Sequence, residues 1–270
     1  MSASEVASPV TVEHGSRFVV PVISDAFAIA WRGLITYRRV PQLLVFSTIQ
    51  PVVFVLMFRY VFGGAIHVPG VDYVDYLMPG IFVQTSVFGA IATAIGLASD
   101  VQSGLLERFL SLPMARSAVL TGRTLADLGR NVFVVALMSG VGFLVGFHVH
   151  TNALKFIAAM LLVLLFGYTL SWVFATVGLL LKNPESAQAA AFPIMAPLVF
   201  ASSAFVSVAS MPGWLQPFAK YQPVSVTASA ARALILGTPA SSYVLQTLAW
   251  AAGILLVFVP IAVWRYRRAV

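Results

Sequence analysis

The stretch between Lys155 and Lys182, FIAAMLLVLLFGYTLSWVFATVGLLL, contains no charged side chain. An α-helix needs about 20 such residues to cross the roughly 30 Å hydrocarbon core of a bilayer, where a helix satisfies its own backbone. Hydropathy marks five more stretches of comparable length, so spans are expected near 41–62, 76–98, 122–147, 154–181, 187–209 and 243–264. The third and fourth are longer than a perpendicular crossing requires, and are expected to tilt or to extend out of the bilayer. Pro51, Pro193, Pro197 and Pro260 fall inside spans, where neighbours must satisfy the carbonyls they free. Only 9% of the 270 residues are charged, against about 25% in a soluble domain. The expected fold class is therefore an all-α integral membrane protein with six transmembrane helices.

The segments around the spans read differently. The first 17 residues are polar and lack the basic start and apolar centre of a signal peptide, and residues 1–20 are expected to form a disordered cytosolic tail ahead of a transmembrane domain over 21–270. In DAFAIAWRGLITYRRVP (25–41), Phe27, Trp31, Leu34 and Ile35 recur at helical spacing beside Arg32, Arg38 and Arg39. Such a basic, Trp-bearing amphipathic helix over 25–39 suits the membrane interface; the alternative is an extension of the first span into the cytosol. The loop 211–239 is too apolar for a free loop, with Trp214, Phe218, Tyr221 and an Ala-rich run. It reads either as a partly inserted outer helical hairpin between helices 5 and 6 or as an interfacial aromatic belt.

With six spans, Arg17, Arg32, Arg38, Arg39, Arg108, Arg116, Arg123, Arg130, Lys182, Arg265, Arg267 and Arg268 fall on one side. Only Arg59, Lys155, Lys220 and Arg232 fall on the other. The positive-inside rule then makes both termini cytoplasmic. The net charge of +7 suits loops held against an anionic leaflet. Basic residues scattered between spans, rather than gathered on one face, argue against nucleic acid. The absence of cysteine excludes disulfides and thiolate metal sites.

The first inner loop carries an unusual concentration of charge. Taken as a helix over 100–112, it places Asp100, Ser103, Gly104, Glu107 and Ser111 along one stripe with Arg108 beside it. Val101, Leu105, Leu106, Phe109, Leu110 and Leu112 make the opposite face, an amphipathic pattern. Spacing alone leaves two readings open: a docking helix offered to a partner, or a helix resting on the bilayer. Beyond Pro113, Arg116, Arg123 and Arg130 recur every seven residues, with Asp127 placed to pair along one helix face. The second inner loop, KNPESAQ (182–188), offers Glu185 as a smaller contact.

Catalytic signatures are missing. No G-x-x-x-x-G-K-[ST], H-E-x-x-H or G-x-S-x-G occurs, so ATP-driven work would need a partner and no metal is expected. The spans hold almost no carboxylates for ion coupling. Phe54 and Phe58 on the first span follow Phe46 and Gln50 at four-residue spacing, and the second span adds Phe82, Gln84 and Phe88. These stripes suit either the wall of a path for amphipathic cargo or plain helix packing. Gly142 and Gly146 form a G-x-x-x-G expected to let helices approach.

The run SGLLERFLSLPMARSAVLTGRTLAD (103–127) resembles the first cytoplasmic loop of ABC-2 type exporter permeases, and MPGWLQPFAKYQPVSVTASAARALILG (211–237) is similar to the outer loop of that family's daunorubicin-resistance branch. The resemblance implies a membrane subunit moving amphipathic drug-like molecules or lipids, working with two copies of a separate ATP-binding subunit. ATP and Mg would then be held by that partner, and no cofactor by this chain. It implies a coupling helix in which Glu107 and Arg108 meet the ATPase while Leu105, Leu106 and Phe109 seat the helix. Trp31, Arg32 and Arg38 on the opening helix, with Glu185, would make a secondary contact. A second permease, identical or similar, would complete the path in a plasma or bacterial inner membrane. A polysaccharide exporter permease of the same superfamily and a non-transport membrane scaffold are the alternatives. Arg59, at the outer end of the first span, is a feature the family's pattern does not account for.

Overall fold

The computed structural model describes residues 19–39, 41–64, 66, 68, 70–105 and 116–268, and every regular element among them is helical. The expected tail over 1–20 therefore lies almost entirely outside the described residues. Helix α1 spans Val19–Arg39, and α2 spans Pro41–Leu56 and continues as a π-helical turn over Met57–Val61. They are followed by α3 (Tyr73–Gln102), α4 (Arg116–Leu144), α5 (Ala153–Leu181) and α6 (Pro184–Phe200). After a 3-10 turn at Val208–Ser210 come α7 (Gln216–Tyr221), α8 (Pro223–Leu236) and α9 (Ser241–Arg268).

Among the described residues, four helices are long and apolar enough to cross a membrane: α3, α4, α5 and α9. The other two expected spans are occupied by shorter elements. Helix α6 stops at Phe200, although hydropathy reads on to 209. Local side chains set the ends. Asn152 accepts from the Lys155 amide at the start of α5, and Asn183 accepts from Glu185 and Ser186 at the start of α6. Both are N-caps that satisfy otherwise orphaned donors.

Helix α3 is the central post, buried along its amino-terminal half and packed on α2, α4, α5, α6 and α8. Small residues permit these approaches. A Cβ on Gly178 of α5 would lie 2.4 Å from the Ala94 carbonyl oxygen of α3. Helix α1 lies along α4 by the same device, since a Cβ on Gly33 would meet that of Ala126 at 2.5 Å. Its contact face is thus Ala26, Ala30 and Gly33, while Phe27 and Trp31 point away and are exposed. Of the expected G-x-x-x-G pair, only Gly142 packs, against Met78; Gly146 lies beyond the helix at φ 91° and closes it.

The chain from 201 to 207 is non-helical, and its polar groups are met by neighbours. The Ser203 carbonyl accepts from Tyr76 Oη at 3.2 Å and Arg232 Nη2 at 2.9 Å. Its amide donates to Ser225 Oγ at 2.9 Å, and the Phe205 carbonyl accepts from Tyr73 Oη at 3.1 Å. One turn earlier, Gln222 Nε2 donates to the Leu198 carbonyl at 2.9 Å. Helices α7 and α8, joined at Gln222, occupy the 211–239 segment read as a hairpin or an aromatic belt, with α8 largely buried and Trp214, Phe218 and Tyr221 exposed.

Candidate functional site

Helices α2, α3, α4 and α6 enclose a cavity of about 580 Å³. Its apolar wall comes from Phe88, Ile91, Ile95, Phe192 and Met195, and its polar groups are Ser47, Gln50, Thr85, Arg130, Asn131 and Gln188. Ser47 and Thr85 donate their hydroxyl hydrogens to carbonyls of their own helices, Leu44 and Ile81. Gly89 of α3 makes room for the α4 side chains: Arg130 Nη2 donates to its carbonyl, and a Cβ there would lie 2.1 Å from Asn131 Oδ1. The rim residues Gln50, Gln188 and Phe192 are exposed.

Toward the ends of α3 and α4 that flank the 103–115 loop, the cavity gives way to an ionic brace. Arg123 Nη1 of α4 lies 2.7 Å from Asp100 Oδ2 of α3, and its Nε lies 4.0 Å from Asp127 Oδ2. Asp127 is buried and accepts from Thr93 Oγ1 of α3 at 2.6 Å. The guanidinium of Arg123 crosses α3 where Gly96 has no side chain to block it. The spacing pointed to pairing within α4; the Arg123–Asp127 contact is there, and the shorter pair runs between helices.

Asp100 belongs to α3 rather than to a separate helix over 100–112. Helix α3 runs to Gln102 and is closed by Ser103 and by Gly104 at φ 69°, a left-handed terminator. Leu105 follows, half-buried, while Leu106, Glu107, Arg108 and Phe109 lie outside the described residues. The residues expected to make the secondary contact divide between two helices. Trp31 and Arg32 are exposed on α1, Arg38 lies in α1 with its side chain outside the description, and Glu185 is exposed at the start of α6.

The four expected path residues do not converge. Phe58 stacks on Phe54 and on Phe205, the Phe58–Phe205 centroids being 4.6 Å apart, and Phe54 meets Phe205 at a tilt. Phe82 is fully buried edge-on to Phe147, and Gln84 is 1% exposed with no hydrogen-bond partner on either amide atom. From the same two stripes, Gln50 and Phe88 do line the cavity. Sequence reading missed Asn131, whose only signal was an amide next to Arg130 in an apolar run. It also missed Asp75, which accepts from the His148 amide at 2.8 Å and meets His150 Nε2 at 2.6 Å, stapling the α4–α5 connection to α3.

Comparison with known proteins adds kinship to this geometry. The profile of the ABC-2 type transporter family matches residues 25–236. The chain is 34% identical to the daunorubicin resistance ABC transporter permease protein DrrB1 of Streptomyces coeruleorubidus, over 91% of this chain and 87% of that protein. It is 30% identical to the probable doxorubicin resistance ABC transporter permease protein DrrC of Mycobacterium tuberculosis, over 83% and 81%. A more distant likeness, at 25% identity over 79% and 74%, is to the putative transport permease ycf38 of Pyropia yezoensis.

Proposed function

The chain belongs to the ABC-2 type transporter family, and from that premise we propose that it is the permease subunit of an exporter driven by a separate ATP-binding subunit. The cargo is amphipathic, a drug-like molecule or a lipid, as the names of the resistance permeases it is similar to suggest. Six crossings place both termini in the cytoplasm, with α2 and α6 as the two short spans, α1 at the inner interface and the α7–α8 hairpin partly inserted from outside. A second permease, identical or similar, faces the cavity, and the assembly sits in a plasma or bacterial inner membrane.

The observation that carries this reading is the continuity of α4. Asp127, in the ionic brace beside the first inner loop, and Arg130, on the cavity wall, are neighbours along one helix. Force that arrives at the Arg116 end of α4 would travel along this one helix, braced to α3 by Asp127, to the cavity wall. Leu105, Leu106 and Phe109 seat the first inner loop on the ATPase, and Glu107 and Arg108 provide its charged contacts. ATP and Mg are held by the partner.

The test is co-purification followed by transport. Tagged protein expressed with its genomic neighbours should retrieve an ATP-binding subunit. In inside-out vesicles, Glu107→Ala with Arg108→Ala should lower ATP-dependent daunorubicin uptake by about tenfold or more, equivalent to about 1.4 kcal/mol in the barrier. Retrieval of no ATPase, together with transport unchanged in the double variant, overturns the proposal.

A further inference from the structure

The cavity ends one helical turn short of an aromatic stack. On α2 its lining stops at Pro51, and Phe54 and Phe58 follow on the next two turns. On α6 it stops at Met195, ahead of Phe200 at the helix end and Phe205 in the break that follows. Ring centroids step from Phe54 to Phe58 at 6.0 Å, from Phe58 to Phe205 at 4.6 Å and from Phe205 to Phe200 at 6.1 Å. The stack thus bridges α2 and the end of α6. Helix α3 fixes its level. The cavity takes Thr85 to Ile95 of that helix, whereas the Phe205 carbonyl accepts from Tyr73 in the first turn, and a Cβ on Gly80 would meet the Ala204 carbonyl. The rings therefore lie beyond the cavity toward the amino-terminal end of α3, the outer end in the proposed topology.

These rings differ from ordinary core packing. The two central ones sit on backbone that has left the α-helix: Phe58 in the π-helical turn over Met57–Val61, and Phe205 in the non-helical stretch 201–207. Such π-turns recur at functional sites. The stretch that carries Phe205 is held by side-chain donors from α3 and α8, Tyr73 on its own carbonyl and Tyr76 and Arg232 on that of Ser203. The Phe58–Phe205 rings are near-parallel, at 6°, so they can slide apart without breaking a hydrogen bond of their own. Phe54 and Phe58 are only half-buried and Phe200 is exposed, whereas Phe82 and Phe147, an aromatic pair of the core, are sealed.

We propose that the stack of Phe54, Phe58, Phe205 and Phe200 is a plug that closes the outer end of the cavity, with the Phe58–Phe205 pair as its parting line. An apolar constriction stops water and ions by dewetting, while the apolar body of a cargo can replace the contacts that the rings give up. Phe54 and Phe58 thereby shut the path instead of lining it. This rests on the reading of the cavity as the cargo site and adds its gate.

The experiment exploits the absence of cysteine. Gln50→Cys, on the cavity wall one turn before Phe54, is expressed in the full chain with its genomic neighbours and treated with a membrane-impermeant methanethiosulfonate. From outside spheroplasts it should be unreactive while the plug is intact. Adding Phe58→Ala and Phe205→Ala should speed its labelling by about tenfold or more, since each aromatic pair removed is worth roughly two- to tenfold. Phe82→Ala, which removes a ring from the core pair with Phe147, should leave the cysteine unreactive and so separates loss of the plug from general loosening. Outside labelling that is already fast with both rings in place, that is unmoved by their removal, or that rises equally with Phe82→Ala overturns the gate alone. In inside-out vesicles the same cysteine should label in every variant, because the cavity reaches the exposed Gln188 near the start of α6, and daunorubicin should slow that labelling. No labelling from this side, or labelling that daunorubicin does not slow, overturns the cargo-site reading and the gate with it.

Discussion

Asp127 and Asp100 both face Arg123, yet burial makes them unequal. Asp100 has the shorter ion pair, 2.7 Å against 4.0 Å, but its side chain keeps 23% of its exposure while that of Asp127 keeps 1%. A partly exposed pair is weakened by solvent and contributes about 1 kcal/mol or less. A buried carboxylate that accepts from Thr93 holds a charge-assisted hydrogen bond of about 1.5–3 kcal/mol, and its loss strands a donor. Asp127→Ala is therefore expected to destabilise by about 2–3 kcal/mol and Asp100→Ala by about 1 kcal/mol or less, despite the shorter contact. Reversible unfolding in mixed micelles would read both, and the reverse order would show that distance rather than burial governs the brace. The Arg123–Asp127 relation was legible in the sequence because i,i+4 spacing fixes it. The Arg123–Asp100 pair was not, because it depends on how α3 and α4 lie together, and Gly96 gave no sign that a guanidinium would cross it.

At the scale of elements, length and hydropathy located α3, α5 and α9, whose apolar runs leave few alternatives in register. The same measure passed over the break after Phe200. Ala201, Ala204, Phe205 and Val206 are as apolar as any span, and hydropathy carries no information about where helical hydrogen bonding stops. What allows the break lies elsewhere in the chain: Tyr73 and Tyr76 on α3, and Gln222, Ser225 and Arg232 around α8. Arg232 is the central one, with Nε donating to the Tyr76 carbonyl at 3.0 Å and its guanidinium 3.6 Å from the Tyr76 ring centroid. Arg232→Met keeps much of the stem and removes every donor. The expected cost is about 2–3 kcal/mol, since hydrogen bonds to a charged group are each worth about 1.5–3 and Ser203 keeps its bond to Tyr76. Hydrogen exchange should accelerate over 201–206 and the start of α8 while α5 stays protected. Uniform acceleration across all helices would mean that Arg232 supports the whole bundle rather than this break.

Seen as a whole molecule, the outer break bears on how the proposed six crossings are achieved. Helix α6 has 17 residues, which at 1.5 Å per residue is about 25 Å, short of a core of roughly 30 Å. If α6 crosses, the remaining depth falls to 201–207, and backbone there is tolerable at membrane depth only because protein groups satisfy it. Helix α2 is extended in a different way, by the π-helical turn over Met57–Val61. The chain contains no cysteine, so each engineered one is a unique reporter of side. Ser103, Lys155, Ser186 and Lys220 are all exposed: Ser103 follows α3, Lys155 and Ser186 lie in the first turns of α5 and α6, and Lys220 lies in the last turn of α7. If α2 and α6 both cross, Ser103→Cys and Ser186→Cys should react with a membrane-impermeant maleimide only in inside-out vesicles. Lys155→Cys and Lys220→Cys should react only in intact cells or spheroplasts. Each short helix has its own signature of failure. A re-entrant α6 would put Lys220→Cys on the same side as Ser186→Cys, whereas an α2 that does not cross would leave the amino terminus on the side opposite to Ser103→Cys. The first outcome would also move the α7–α8 hairpin, with its exposed Trp214 and Tyr221, to the cytoplasmic interface. The hydrogen bonds that tie Arg232 to Tyr76 at the amino-terminal end of α3 could not then form, so labelling of Lys220→Cys and exchange over 201–206 test the same arrangement from two directions.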